Sequence, residues 1–309
     1  MTAYTAAVAA SPSPSRSPAP APAPTPSPSP SKFASPRITQ QFAQIALWSA
    51  TALTIAILLF VIAFVMRRGL GSISWSFLAG SPRKSGAEGG IFPTIVSTLY
   101  VTIAAVAVAT PLGLGAAIYL AEYTSEGWVS GIIRRGTESL AGIPSIIFGL
   151  FGFAFFVTTL GLGWSVLSGG LTLGAMILPT VIRTAEEALR AVPREYRHVA
   201  RSLGATRWDA IRTVVLPVAA PGIMTGIVLG IARAVSETAA VIFTAGVALR
   251  IPTSLFDSAR TMSVHFYTLT MEGISDSQAY GTAAVLVVTI LLMNVVAYTL
   301  MHRFTRNLR

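Results

Sequence analysis

The sequence predicts an all-α membrane protein that crosses the bilayer about six times. Composition is the first observation: 53% of the 309 residues are hydrophobic and 11% are charged, against about 25% charged in an ordinary soluble domain. Patterning is the second, because residues 38–66, 89–121, 139–182, 213–232 and 277–301 contain no Asp, Glu, Lys or Arg. Length is the third. A helix needs about 20 residues, at about 1.5 Å each, to cross about 30 Å of hydrocarbon, and each run is that long.

Residues 11–36 are nearly all Ser, Pro and Ala, as in Ser11-Pro12-Ser13-Pro14 and Ala19-Pro20-Ala21-Pro22. Such a segment cannot bury enough apolar surface to offset the entropy of ordering it. Residues 1–38 are therefore predicted to be a disordered tail, with the membrane domain covering 39–309. The tail lacks the apolar core of a signal peptide, and Ile45 to Met66 is long enough to stay in the membrane.

The predicted spans begin with one over 43–66, then 92–120. The charge-free stretch from Ser139 to Ile182 is too long for one helix, so it is read as a hairpin of helices at 140–160 and 164–182, turning at Gly161-Leu162-Gly163. The remaining spans, 217–246 and 279–301, bring the total to six. Pro111, Gly113 and Gly115 interrupt the second span, where a hinge and ordinary helix packing are both compatible with them; packing is favoured, because Gly and Pro are common in membrane helices.

Six crossings put both termini on one side. With the termini cytoplasmic, inner segments carry fifteen Lys and Arg residues and outer segments six, as the positive-inside rule requires. Arg67, Arg68, Arg83 and Lys84 in the first outer loop run against it.

Other function classes are excluded or disfavoured. A net charge of +10 could suit nucleic acid, but the basic residues lie between apolar runs instead of on one soluble face. There is no Cys, so disulfides and thiolate metal sites are absent. His198, His265 and His302 lack metal-ligand spacing, and Glu186 and Glu187 point about 100° apart on a helix. No catalytic residue, metal or cofactor is expected. The only lysines, Lys32 and Lys84, lie outside any G-x-x-x-x-G-K-[ST] motif, so the chain does not itself hydrolyse ATP.

Two charges break the apolar pattern. Arg233 and Glu237 fall inside the fifth span, where each ionised group is disfavoured by about 2.5–3.5 kcal/mol. At a spacing of four they share a helix face and are expected to pair. Gly222, Gly226, Gly230 and Ala234 form a small-residue stripe on the same arc, suited to close helix packing. Glue between helices and a gate on an anion path are both compatible with this pair.

Between the fourth and fifth spans lies a charged loop, 183–216. It holds Pro193-Arg194-Glu195-Tyr196-Arg197-His198-Val199-Ala200-Arg201-Ser202-Leu203-Gly204, which reads as a short helix started after Pro193 and stopped by Gly204. Nine residues further stands Val214-Val215-Leu216-Pro217.

This loop resembles that of the permease subunits of binding-protein-dependent ABC importers, whose pattern is Glu-Ala-Ala, three residues, Gly, nine residues, Ile-x-Leu-Pro. Gly204, Leu216 and Pro217 match, Val214 replaces Ile, and His198-Val199-Ala200 stands for Glu-Ala-Ala, so that only Ala200 is kept. The resemblance implies a MetI-like permease architecture. It also implies coupling to an ATPase subunit through 194–217, with Glu195, His198, Ala200, Gly204, Leu216 and Pro217 in the contact.

Three further segments, Glu138 to Leu150, Pro179 to Glu187 and Gly230 to Ala239, resemble the PstA type of phosphate importer permease and span about 90–302 in order. This likeness implies that Arg233 and Glu237, with Arg183 as a further candidate, line the translocation path. Ser236 departs from the glycine usual before that Glu. It also implies a homologous permease as heterodimer partner, a dimer of ATPase subunits, an external phosphate-binding protein and a place in the bacterial inner membrane. Rival readings stay open at this point: an ABC permease for another oxyanion such as sulfate or molybdate, and an ion channel or secondary transporter.

Overall fold

The computed structural model describes residues 36–124 and 127–307. The chain divides into two units between Ala56 and Ile57. In the first, residues 36–56 form the start of α1 (Pro36–Gly69), with Phe42, Ile45, Trp48 and Leu53 exposed. Residues 36–38, read from the sequence as part of the tail, are helical here. The remainder of the predicted tail, residues 1–35, lies outside the described residues.

In the second unit α1 runs on to Gly69 and is followed by α2 (Trp75–Ala79), whose cap Ser74 accepts the Phe77 N–H at 3.1 Å. A two-stranded antiparallel hairpin, β1 (Pro82–Arg83) and β2 (Glu88–Gly89), pairs Pro82 with Gly89. Next comes α3 (Phe92–Ile118), prolonged by a π-turn at Tyr119–Tyr123. It passes through Pro111 unbroken. Its buried Thr94 and Thr98 hydroxyls donate to the carbonyls of Ile91 and Thr94, both at 2.7 Å, which satisfies them inside an apolar bundle.

The predicted 140–160 span is corrected by the structure. An amphipathic helix, α4 (Trp128–Ala141), ends before Pro144, and α5 (Ser145–Gly152) continues as a π-turn over Phe153–Thr159, with a 100° bend between the two pieces. Pro144 has no N–H to give a continuing helix and keeps Ile143 away from helical geometry. Gly161 and Gly163 then turn the chain with φ of +66° and +65°, a region glycine enters without strain.

Beyond the turn, α6 (Val166–Ala191) outlasts the predicted 182 boundary. Its last turns carry Arg183, Glu186, Glu187 and Arg190, so the helix continues past the apolar run. Two short helices follow, α7 (Arg194–Ser202) and α8 (Arg207–Ala210), then a π-turn at Ile211–Val215 leading into α9 (Leu216–Ser236). A second correction falls here. The predicted 217–246 span is broken at Glu237, whose φ of −73° and ψ of 131° are extended, and the chain resumes as the short α10 (Ala239–Thr244). The last helices are α11 (Met262–Met271) and α12 (Asp276–Asn307).

Among the described residues five helical stretches are long and apolar enough to cross a membrane, ending at Ser72, Tyr123, Ala191, Ser236 and Thr299, with a sixth if the bent α4–α5 pair counts as one span. At the centre of the second unit α6 packs against both α3 and α9. One core cluster joins Val101, Ala105, Leu173, Met176, Ile177 and Val241, and another joins Ala117, Leu189, Val215, Ala219 and Ile223. The second lies directly under α7 and α8, so this end of the bundle is called the loop end and the other the far end.

Candidate functional site

The loop-end helices are held by local signals. At the end of α7, Gly204 has φ +85°, its N–H donates to the Arg201 carbonyl at 2.9 Å, and the Ala205 N–H donates to the Ala200 carbonyl at 3.1 Å. That is the paired 6→1 and 5→2 closure of a Schellman motif, which a glycine at this position permits. Thr206 then caps α8 by accepting the Asp209 N–H at 3.2 Å. The turn directs the chain from α7 into the base of α9.

Around α7, successive residues step by about 100°, giving three faces. Tyr196, Val199 and Leu203 form an exposed apolar face, Leu203 with 83% of its surface open. They line, with Val214, a groove of about 370 Å³. Arg194, His198 and Arg201 form a basic edge. Between these, Ala200 is buried and Arg197 turns inward.

Arg197 fixes α7 to the membrane helices. Its guanidinium reaches the Glu122 carboxylate at 2.6 Å, in the π-turn that ends α3, with a second nitrogen 3.0 Å and 3.1 Å from the two carboxylate oxygens. The remaining N–H groups donate to the carbonyls of Leu189 and Val192, at 2.8 Å and 2.7 Å, at the end of α6. Glu122 is buried and Arg197 largely so, and a pair withdrawn from water is stable only when such hydrogen bonds are complete. Arginine's planar fork allows this; a lysine does not. These contacts tie α7 to α3 and α6 together. Composition and spacing did not single out Glu122; its one signal was that it is the first charge after the 89–121 run.

A second tie links Glu186 of α6 to Arg190 at 2.9 Å and to Arg134 of α4 at 2.9 Å. Beside it a cleft of about 420 Å³ is lined by Arg183, Glu138 and Glu187 among others. Arg183 pairs with Glu187 at 3.0 Å, both side chains largely exposed.

The other sequence-derived residues are placed as follows. Glu195 and His198 are exposed on α7, while Leu216 and Pro217 are half-buried in the first turn of α9. On α9 the glycine stripe faces α6: a Cβ on Gly222 would lie 2.5 Å from Ala188 Cβ, one on Gly226 would overlap the Thr184 hydroxyl, and Gly230 lies over Ile177 and Val181.

The expected Arg233–Glu237 ion pair is not formed. Helix α9 stops at Ser236, so Glu237 leaves the face that a spacing of four would give it. Its carboxylate instead accepts the Ala240 N–H at 3.3 Å and its carbonyl accepts the Ser263 hydroxyl at 2.7 Å. Half-buried Arg233 has no ion pair among the described residues. Nor are Arg233 and Arg183 close along the bundle. Arg183 neighbours Thr184, which meets Gly226, and Arg233 stands seven residues further along α9, about 10 Å at about 1.5 Å per residue.

Helices long and apolar enough to cross a membrane thus carry, at the loop end, a tied loop with an exposed apolar face. The chain belongs to the binding-protein-dependent transport system inner membrane component family, whose profile matches residues 109–309. It is 31% identical to the probable ABC transporter permease protein YqgI of Bacillus subtilis over 84% of this chain and 94% of that one. It is 35% identical to the phosphate transport system permease protein PstA 1 of Mycobacterium tuberculosis over 72% of each. In fold it is similar to a chain of a bacterial alginate ABC transporter solved with its alginate-bound periplasmic protein, with a TM-score of 0.62, 17% identity, and 87% of this chain and 97% of that one covered. A chain of the inward-facing methionine transporter MetNI gives a TM-score of 0.57 at 19% identity, covering 67% and 93%. The chain is thus a multi-pass permease of the PstA type, a transport component and not an enzyme.

Proposed function

We propose that this protein is one permease subunit of an ATP-driven phosphate importer in the bacterial inner membrane, with both termini cytoplasmic. A homologous permease pairs with it as a heterodimer to complete the path. Two ATPase subunits dock on the loop end, and an external phosphate-binding protein delivers solute at the far end. The PstA relatives support phosphate as the cargo.

The observation that carries the reading is the apolar face of α7. Tyr196, Val199 and Leu203 are 49%, 61% and 83% exposed on a helix whose opposite side is fastened by Arg197. A loop this exposed gains from burial against a partner, and the Arg197–Glu122 bond converts the partner's movement into movement of α3 and α6. Glu195 and His198 flank that surface, Ala200 and Gly204 set its geometry, and Leu216 and Pro217 pass the motion into α9. Arg233 attracts the anion within the bundle, with Glu237 shaping the break beside it and Arg183 standing nearer the loop end.

Val199→Glu/Leu203→Glu is the test, since both positions are open and the substitution leaves the core intact. Membrane levels of the permease are expected to stay at wild type while co-purification of the ATPase subunit and phosphate uptake are lost. Normal co-purification from this variant would refute the docking role.

A further inference from the structure

The basic edge of α7 borders a second cleft, of about 490 Å³, which shares His198 and the Arg197–Glu122 pair with the coupling reading but adds Arg194, Arg201 and Arg207, to which that reading gives no role. Five guanidinium groups wall it, from Arg190, Arg194, Arg197, Arg201 and Arg207, with Glu122 the one acidic group among its lining residues. Two of the five are already occupied. Arg197 is spent on Glu122, and Arg190 donates to Glu186 at 2.9 Å and to the Leu120 carbonyl at 3.3 Å. Arg194, Arg201 and Arg207 form no ion pair among the described residues. The Gly204 turn brings α8 back beside α7, and the Arg207 guanidinium rests 5.2 Å from the centre of the Tyr123 ring, which holds it at the cleft.

Three cations without an ion pair among the described residues stand around one concavity and repel each other, and a bound anion removes that repulsion. A phosphate group fits the donor set better than a carboxylate does. Each guanidinium offers a planar fork, and a tetrahedral oxyanion has enough oxygens to accept from more than one fork, whereas a carboxylate is filled by one. The cleft is also turned away from the docking face: Arg194 and Leu203 are nine residues apart, about 180° around the helix. We infer that this cleft binds a phosphate group at the loop end of the bundle.

The group can come from free phosphate or from a phospholipid head, since Tyr123 and Arg190 stand where α3 and α6 finish. The full chain, purified in the assembly it forms in its own membrane, is placed in nanodiscs of phosphatidylcholine with or without phosphatidylglycerol. Binding of inorganic phosphate is read by phosphorus NMR line broadening, and retained phosphatidylglycerol by native mass spectrometry. Arg194→Gln/Arg201→Gln is compared with wild type, and Arg207→Gln, on a separate element, provides a second reading if the first variant fails to assemble.

Saturable broadening in phosphatidylcholine that weakens about tenfold in the variants supports the site and assigns it to free phosphate. Retention of phosphatidylglycerol that the variants lose supports it and assigns it to the lipid. Broadening and lipid retention that are absent, or unchanged by either variant, overturn it. So does loss of the ATPase subunit from variants that otherwise assemble, which would make the cleft a protein contact.

Discussion

Arg197 of α7 and Glu122 at the end of α3 are 75 residues apart in sequence and 2.6 Å apart in space. Removing one partner of such a buried pair leaves the other charge unpaired, at about 3–5 kcal/mol. Glu122→Gln and Arg197→Ala are each expected to reduce uptake by more than about tenfold. Arg197→Lys should not restore it, because a lysine cannot engage the carboxylate and the Leu189 and Val192 carbonyls together. Uptake and ATP hydrolysis measured side by side check this: loss of uptake with hydrolysis retained is the expected signature of a broken link.

Arg233 gives a different expectation. With no ion pair to break, Arg233→Gln should leave assembly and melting temperature at or above wild type, since an ionised group in the bundle is disfavoured by about 2.5–3.5 kcal/mol. Uptake should nevertheless fall. Equal uptake from a normally assembled Arg233→Gln permease would remove Arg233 from the path.

The contact between α6 and α9 is sensitive at single methyl groups. Gly226→Ala places a Cβ on the Thr184 hydroxyl, and overpacking of this kind typically destabilises by about 1–3 kcal/mol. Gly115→Ala is the control. Its Cβ meets nothing within 4 Å, and alanine favours helix by up to about 1 kcal/mol, so that variant should melt at or slightly above wild type while Gly226→Ala melts below it.

Acid should weaken the far end through His265, which lies in α11 outside the long spans. The ring is fully buried, neither nitrogen has a hydrogen-bond partner among the described residues, and Gly86 closes against it. Burial, and secondarily the charge of Arg260, pushes its pKa down from 6.5 to about 4. The unfolded chain therefore takes up this proton first. The stability contribution is complete above about 6.5 and is lost as pH falls from there through about 4. Melting temperature should drop between pH 7.5 and pH 5, and His265→Leu should flatten that drop.

Much of this architecture was legible in the sequence because membrane helices announce themselves by uninterrupted apolar length. The local form of the 194–217 loop was legible too, from Pro193, Gly204 and Leu216-Pro217, since a helix start, a left-handed stop and a re-entry each require particular residues. What escaped were features decided by tertiary context. The break at Glu237 carries no Gly or Pro: Ser236-Glu237-Thr238 sits in a long apolar stretch, and the extended conformation is held by the Ser263 hydroxyl, 26 residues away. The Glu122–Arg197 link joins distant segments and leaves no local pattern. Pro144, in contrast, was a usable signal for the α4–α5 bend, overridden by the absence of charge from Ser139 onward.

The central claim is that ATP hydrolysis on a docked partner drives phosphate through this subunit. Its most direct test is uptake of labelled phosphate and labelled sulfate by the complex reconstituted with its ATPase and binding protein, for wild type and for a chain lacking 194–204. Phosphate accumulation that needs ATP, exceeds sulfate accumulation and disappears with the deletion is the predicted result. Uptake that proceeds without ATP, or that survives the deletion, would contradict it.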